Sequence, residues 1–200
     1  MKYFLFDIGN VLVDFNAQDF LDAIAAEAGR EVEPLTARDL ERIDAVETGR
    51  LSDAGFVDYL NEAKGLSWTV DDLVAMWSKM FSLHETGQGL FLDALKADVQ
   101  IYTLSNIAQH HVDAIENNWS GFFDKMTGLF MSYKMGVRKP DMAIYTKVLD
   151  HLGALGEECF FLDDKPENVE VAREAGIEAY QFVPENHEAI RNAANEFFGL

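Results

Sequence analysis

Apolar residues along the chain follow two rhythms, and the change between them organises the molecule. The first run, Tyr3 to Phe6, is unbroken and stops at Asp7-Ile8-Gly9-Asn10, the mark of a buried strand opening into a loop. From Asp19 to about Phe81 apolar residues recur at helical spacing, as in Phe20-Ile24, Leu35-Leu40-Ile43, Phe56-Leu60 and Leu73-Trp77, with breaks at Gly29, Pro34, Gly49 and Gly65. Segments of that length between breakers predict about four helices and no strand. After Gly87 strands alternate with helices. Helices at Leu90–Lys96, Ala108–Asn117, Ala143–Leu152 and Val169–Ala175 each precede a strand, at Val99–Leu104, Gly128–Met131, Phe160–Leu162 and Ala179–Phe182, and a last helix spans His187–Phe197.

Repeated strand–helix alternation implies an α/β fold, a doubly wound and mostly parallel sheet covered on both faces. The helical stretch is then an insertion after the first strand. The expected division is an α/β core from residues 1–15 and 86–200, with a small helical domain over residues 16–85. In such sheets ligands gather beyond the carboxyl ends of the strands, near the point where strand order reverses. The polar residues that end strands are therefore the ones to read for chemistry.

Composition narrows the classes of partner. Lys and Arg number 16 against 35 Asp and Glu, a net charge of -19, which repels nucleic acid and anionic membrane, whose binding needs clustered basic residues. A phosphate ester would still need a local positive site inside this negative molecule. Fifteen Phe and 3 Trp in a chain that is 48% hydrophobic suffice for a sizeable core. The single cysteine, Cys159, lies in the apolar run Cys159-Phe160-Phe161-Leu162 and reads as a core thiol, since nothing beside it in sequence would lower its pKa. The apolar N-terminus reaches Asp7 too soon for a signal peptide, and no stretch is long enough to span a bilayer. The expected location is cytoplasmic, and the oligomeric state is not legible.

Three strand ends and one basic loop carry the candidate chemistry. Asp7 ends the first strand, and Gly9 beyond it lets backbone pass close to a ligand. Ser105-Asn106 end the strand Ile101-Tyr102-Thr103-Leu104, and Asp163-Asp164 end Phe160-Phe161-Leu162. Lys139 lies in the loop Met135-Gly136-Val137-Arg138-Lys139-Pro140 ahead of a helix. Such a set suits phosphoryl transfer, where a protein chiefly positions groups and stabilises charge. A carboxylate can attack phosphorus and split one hard step into two. Further carboxylates can hold Mg²⁺, an oxygen-seeking ion that keeps several waters. A hydroxyl, an amide and a lysine can bind the remaining phosphate oxygens.

These segments resemble the haloacid dehalogenase superfamily, most of whose members are phosphatases with a Rossmann-like core. The first signature resembles Phe6-Asp7-Ile8-Gly9-Asn10-Val11-Leu12, the second Leu104-Ser105-Asn106, the third Lys139-Pro140, and the fourth Phe161-Leu162-Asp163-Asp164 followed by Asn168. All four stand in the family's order, and the insertion resembles the helical cap of one subclass. The resemblance implies Asp7 as nucleophile, Lys139 as the residue neutralising the phosphorylated intermediate, and Ser105 and Asn106, with Gly9 and Asn10, around the phosphate. It implies Mg²⁺ held by Asp7, the Gly9 carbonyl and Asp164, with Asp163 either sharing the metal or holding its waters.

Phosphatases of this superfamily usually carry a second aspartate two residues after the nucleophile, as the proton donor to the leaving group. Here that residue is Gly9. Losing a general acid typically costs about 100- to 10,000-fold in rate, so either the leaving group is good or another side chain substitutes. The first alternative favours sugar 1-phosphates, and Asp-Ile-Gly-Asn-Val-Leu resembles a subgroup of bacterial sugar-1-phosphate phosphatases. For the second, Asp14 or a cap residue is a candidate. Two other functions compete: a metal-free 2-haloacid dehalogenase, which has no use for the pair Asp163-Asp164, and a non-catalytic phosphate-binding module, which Gly9 keeps open.

Other polar residues have plainer readings. Ser105 also precedes a helix and can cap it. His110-His111 suggest metal, but no third ligand stands at suitable spacing, and they read as surface residues; His84 and His151 read as structural or surface. Arg138 and Lys134 either add positive field or are solvated. The turn Glu47-Thr48-Gly49-Arg50 either faces the site and reads substrate hydroxyls or is a helix end stopped by Gly49. Trp68 and Trp77 read as core of the helical stretch.

Overall fold

The computed structural model describes residues 1–31 and 33–199. The main sheet is built from β1 (Tyr3–Phe6), β4 (Gln100–Ser105), β5 (Gly128–Met131), β6 (Cys159–Asp163) and β7 (Glu178–Gln181), all parallel, in the order β5-β4-β1-β6-β7. The chain leaves central β1 first to one side and later to the other, so strand order reverses at β1. Side chains alternate across the sheet: Phe4, Phe6, Phe160 and Leu162 pack on one face and Leu5, Cys159 and Phe161 on the other. The first face is covered by α5 (Glu85–Lys96) and α10 (His187–Phe198), the second by α8 (Met142–Leu152) and α9 (Pro166–Glu174). Sheet strands buried on both sides read as continuous apolar runs, which is why each is visible in the sequence.

The helical stretch comprises α1 (Ala17–Ala28), α2 (Ala37–Glu47), α3 (Asp53–Lys64) and α4 (Val70–Met80). Each starts where a side chain accepts a free backbone N–H: Asn16 from Gln18, Thr36 from Asp39, Ser52 from Gly55 and Thr69 from Asp72. Gly29 and Gly65 end α1 and α3 in left-handed conformation, the geometry for which glycine has no steric cost. Phe20, Ile24, Phe56, Leu60, Trp68, Leu73 and Trp77 form a separate apolar cluster, joined by Ala108 and Ala114 beside and on α6 (Gln109–Asn118).

The structure adds features that periodicity did not predict. Two-residue strands β2 (Val13–Asp14) and β3 (Ser82–Leu83) pair antiparallel where the chain passes from β1 to helices α1–α4 and from them to α5. Helix α5 begins at Glu85 rather than Leu90, because the His84 side chain caps it by accepting from Gly87 N. A one-turn helix α7 (Ser132–Met135) follows β5. Leu40, placed in the apolar stripe of α2, is 55% exposed.

Candidate active site

Strands β4, β1 and β6 are neighbours, so their carboxyl ends bring Ser105, Asp7 and Asp163 together. Asp7 lies level with Asp163, its N–H donating to Leu162 O at 2.9 Å and so extending the ladder one residue past β1. Lys139 reaches the cluster from the loop before α8. That loop is clamped to the end of β4 by Asn106, whose Oδ1 accepts from Lys139 N and whose Nδ2 donates to Lys139 O, both at 2.8 Å.

The Lys139 ammonium is buried and uses all three of its hydrogens. It lies 2.5 Å from Asp163 Oδ2 and 3.1 Å from Asp7 Oδ1, and donates to Leu104 O at 2.7 Å. Burial alone would depress the ammonium, but Asp163 and Asp7 outweigh it and hold the group above the ordinary lysine range, hence charged.

The three carboxylates differ in environment. Asp163 is fully enclosed. Besides Lys139 it accepts from Lys165 N at 2.9 Å and from Asn168 Nδ2 at 2.9 and 3.0 Å, so both its oxygens are occupied. Asp164, the next residue, is half-buried, and its carboxylate accepts from Asn10 Nδ2 at 3.1 Å; burial moves it up from the usual carboxylate value, with Asn10 pulling the other way. Asp7 is buried and accepts from Ile8 N at 2.8 Å. Burial pushes its carboxyl up to about 7, against the pull of Lys139 and with the push of Asp163.

Oxygens of Asp7, Asp163 and Asp164 all come within 4.8 Å of one another. Three carboxylates facing one ammonium leave an excess of two negative charges when all are ionised. An all-oxygen donor set with that excess suits a hard divalent cation such as Mg²⁺, and the residues present therefore fit the ion that the sequence implied.

Gly9 and Asn10 form the turn beyond Asp7. A side chain on Gly9 would start 2.9 Å from Phe15 Cε1, so the Phe15 ring crowds the position where an acid would stand. Asn10 adopts a left-handed conformation, φ 54°, and its Oδ1 accepts from Phe15 N. Asn10 and Asn106 thus both engage side-chain atoms in holding loops.

Several outlying readings change. His110 is buried, 1% exposed, with Nδ1 2.8 Å from Asp53 on α3 and its ring stacked on Phe56. It is not a surface residue: Phe56 of α3 and Trp77 of α4 pack against its ring. His111 accepts from Ala108 N, and burial holds it well below the ordinary histidine range. The turn after α2 is both a helix end and a contact with α7. Gly49 is left-handed, a Cβ there would sit 2.3 Å from Tyr133 O, and Ser132 Oγ donates to Glu47 O at 2.5 Å. Arg138 pairs with Glu47 at 3.0 Å and Asp44 at 3.4 Å across the same seam. Asn168, which the sequence marks only as part of the fourth signature, is the residue that occupies both oxygens of Asp163; its signal is an amide five residues after a strand-end acid.

Comparison with known proteins agrees with this architecture. The model of the haloacid dehalogenase-like hydrolases matches residues 1–176, and the chain belongs to that family. A D-ribitol-5-phosphate phosphatase of Bacteroides thetaiotaomicron is 24% identical over 195 residues, covering 93% of each chain. An enolase-phosphatase E1 of Aquifex aeolicus is 25% identical over 175 residues, 80% of this chain and 71% of that one. Among solved structures, a HAD family enzyme of Bacteroides thetaiotaomicron in a magnesium complex superposes with a TM-score of 0.79 at 24% identity, covering 91% and 93% of the two chains. A predicted HAD-like family hydrolase of Porphyromonas gingivalis gives 0.78 at 22% identity, covering 97% and 98%. No helix among the described residues is long and apolar enough to cross a membrane.

Proposed function

We infer that this hydrolase is a magnesium-dependent phosphatase acting on a small sugar or polyol phosphate through an aspartyl-phosphate on Asp7. The observation that carries the reading is the cluster of Asp7, Asp163 and Asp164 within 4.8 Å around a buried, charged Lys139. Similarity over 93% of both chains to a D-ribitol-5-phosphate phosphatase supports a phosphorylated polyol or sugar as substrate class.

Each residue then has a role that its surroundings support. Asp7 attacks phosphorus, its other contacts with Ile8 N and Lys139 fixing the carboxylate in the attacking orientation. Lys139 offsets charge on the phosphorylated aspartate. Ser105, buried at the end of β4, offers its hydroxyl to a phosphate oxygen. Asn106 holds the Lys139 loop with its side chain, and its part in phosphate binding is positional. Asp164, whose carboxylate has a single weak partner, is the direct metal ligand with Asp7 and the Gly9 carbonyl. Asp163, with both oxygens occupied, orients Lys139. A bound Mg²⁺ would offset phosphate charge and help align the ester with Asp7. The helices α1–α4 act as a cap domain over residues 16–85, and the protein works without nucleic acid or membrane partners. A metal-free dehalogenase would have no use for three clustered carboxylates.

Phosphate release from sugar 1-phosphates, sugar and polyol 5- or 6-phosphates and an aryl phosphate, with Mg²⁺ and with chelator, tests this reading. Magnesium-dependent release that Asp7→Asn abolishes is expected. Release that survives either chelation or that substitution would overturn it.

A further inference from the structure

Gly9 leaves the first loop without a proton donor, and Phe15 fills the space beside it. The carboxyl groups nearest the reacting centre are committed: Asp7, Asp163 and Asp164 form the cluster itself. Asp14 is half-exposed in the β2–β3 ribbon, 3.9 Å from His84. Asp44 is held by Arg50 and Arg138. His110 is paired with Asp53, and His111 caps the start of α6.

Glu47 differs from all of these. It belongs to the helical domain, at the end of α2, yet apart from Asp44 on α2 itself the groups whose fields act on its carboxyl come from the segments that build the site: Arg138 beside Lys139, Lys165 beside Asp164, and His110 in the segment after Ser105-Asn106. Its main-chain carbonyl is pinned to the sheet domain by Ser132 Oγ. Oε2 is buried and its one partner is the Arg138 guanidinium, 3.0 Å away as an ion pair without hydrogen-bond alignment, where Asp44 has Arg50 as well. An enclosed acid oxygen without an aligned donor is costly unless it carries a proton or meets one. Burial indeed raises the Glu47 carboxyl, against the opposing pull of Arg138, Lys165 and His110. A cavity of about 500 Å³ opens along the same seam, lined by Asp44, Thr48, Arg50, Arg138 and Lys139 among others; Glu47 adjoins it through Thr48 and Arg138 rather than lining it.

We propose that Glu47 is the acid that replaces the one missing at Gly9, protonating the leaving-group oxygen from the helical domain. This rests on the phosphatase reading. In the first step an oxygen of Asp7 forms a bond to phosphorus, the ester P–O bond breaks, and the departing oxygen takes the Glu47 carboxyl proton, giving an alcohol and a Glu47 carboxylate. In the second, water attacks phosphorus, the bond to Asp7 breaks, and Glu47 takes the proton from that water, restoring the starting state. With a proton supplied, ordinary alkoxide leaving groups become accessible, so polyol 5-phosphates stand beside sugar 1-phosphates as substrates.

The test is the dependence of Glu47→Gln on the leaving group. The first step is read as the burst of leaving group before turnover, because loss of the base in the second step slows steady-state turnover of every ester alike. The burst of alcohol from a polyol 5-phosphate should slow by about 100-fold or more, the scale of a lost general acid. The burst of 4-nitrophenol from 4-nitrophenyl phosphate, whose leaving group needs no proton, should change less than about fivefold and also reports that the variant is folded. Glu47→Ala should show the same split, with added formate restoring the burst of the alkyl ester. Equal losses of burst rate on both esters in both variants, or no loss on either, would overturn the proposal. If the unmodified protein releases phosphate from neither ester, the phosphatase reading fails and takes this inference with it.

Discussion

Two lysines are buried among the described residues, each against aspartate, and their surroundings are opposites. Among the helices α1–α4, Lys64 lies 2.8 Å from Asp39, whose carboxylate also accepts from Thr36 N, Thr36 Oγ1 and Tyr59 Oη at 2.7 Å each. One cation meets one anion, and both carboxylate oxygens have donors. Burial alone would raise Asp39, but Lys64 and Thr36 overcome it and hold the acid well below the carboxylate range. At the sheet ends Lys139 faces Asp7 and Asp163 with Asp164 close by, and Asp7 is pushed up to about 7. The first cluster is complete as it stands. The second carries unbalanced charge that a cation or a phosphorylated intermediate would relieve, and such imbalance is the physical mark of a site for chemistry.

Substitutions that exchange the behaviour of the two clusters should have effects of graded size. Asp7→Asn should abolish phosphate release, by about 10,000-fold or more, while raising the melting temperature of the metal-free protein because it removes a repelled charge. A destabilised Asp7→Asn protein would show that Asp7 is held as Asp39 is. Asp39→Ala should do the reverse, costing about 3–5 kcal/mol in urea unfolding by leaving Lys64 buried and unpaired, with turnover of the folded fraction unchanged. Magnesium at 100 times its Kd should stabilise the protein by about 2.7 kcal/mol and should lose this effect in Asp164→Asn; equal stabilisation of both would remove Asp164 from the ligand set.

Stability against pH separates the clusters by sign. Asp7 has a folded value above its ordinary 3.8, so the folded state holds the proton longer, and metal-free stability should fall as pH rises from about 4 to about 7. Asp39 has a depressed folded value; its contribution is present above the unfolded value and is lost as pH falls below about 4. Melting curves of the protein and of Asp7→Asn between pH 4 and 8 should differ in slope, and coincident slopes would contradict the assignment to Asp7. The smallest effect is expected from Gly9→Ala, whose methyl would start 2.9 Å from the Phe15 ring and should cost about 1 kcal/mol as that ring shifts.

How much of this is legible in sequence depends on range. The strands β1, β4 and β6 are apolar runs that each stop at a polar residue, so the pattern of the chain by itself marks Asp7, Ser105 and Asp163-Asp164 as strand ends. A parallel sheet then obliges those ends to meet. The helices of residues 17–80 are legible because periodicity, caps and glycine stops act within one or two turns. The β2–β3 ribbon is not, since two-residue strands are too short to carry a pattern and owe their pairing to segments about seventy residues apart.

The same distinction divides the site. Sequence alone determined which acids, which lysine and which strand ends belong together, because those follow from local pattern and from the geometry every parallel sheet shares. Only the tertiary structure decided what each does. Asp163 and Asp164 are identical side chains adjacent in sequence, yet one is saturated by Lys139, Lys165 and Asn168 while the other has one weak partner. His110 lies in the interior because α4 packs over α6, and Glu47 stands among Arg138, Lys165 and His110 because the end of α2 docks on α7. Charge, burial and hydrogen-bond supply are properties of a residue's neighbours in space, and no local reading of the chain contains them.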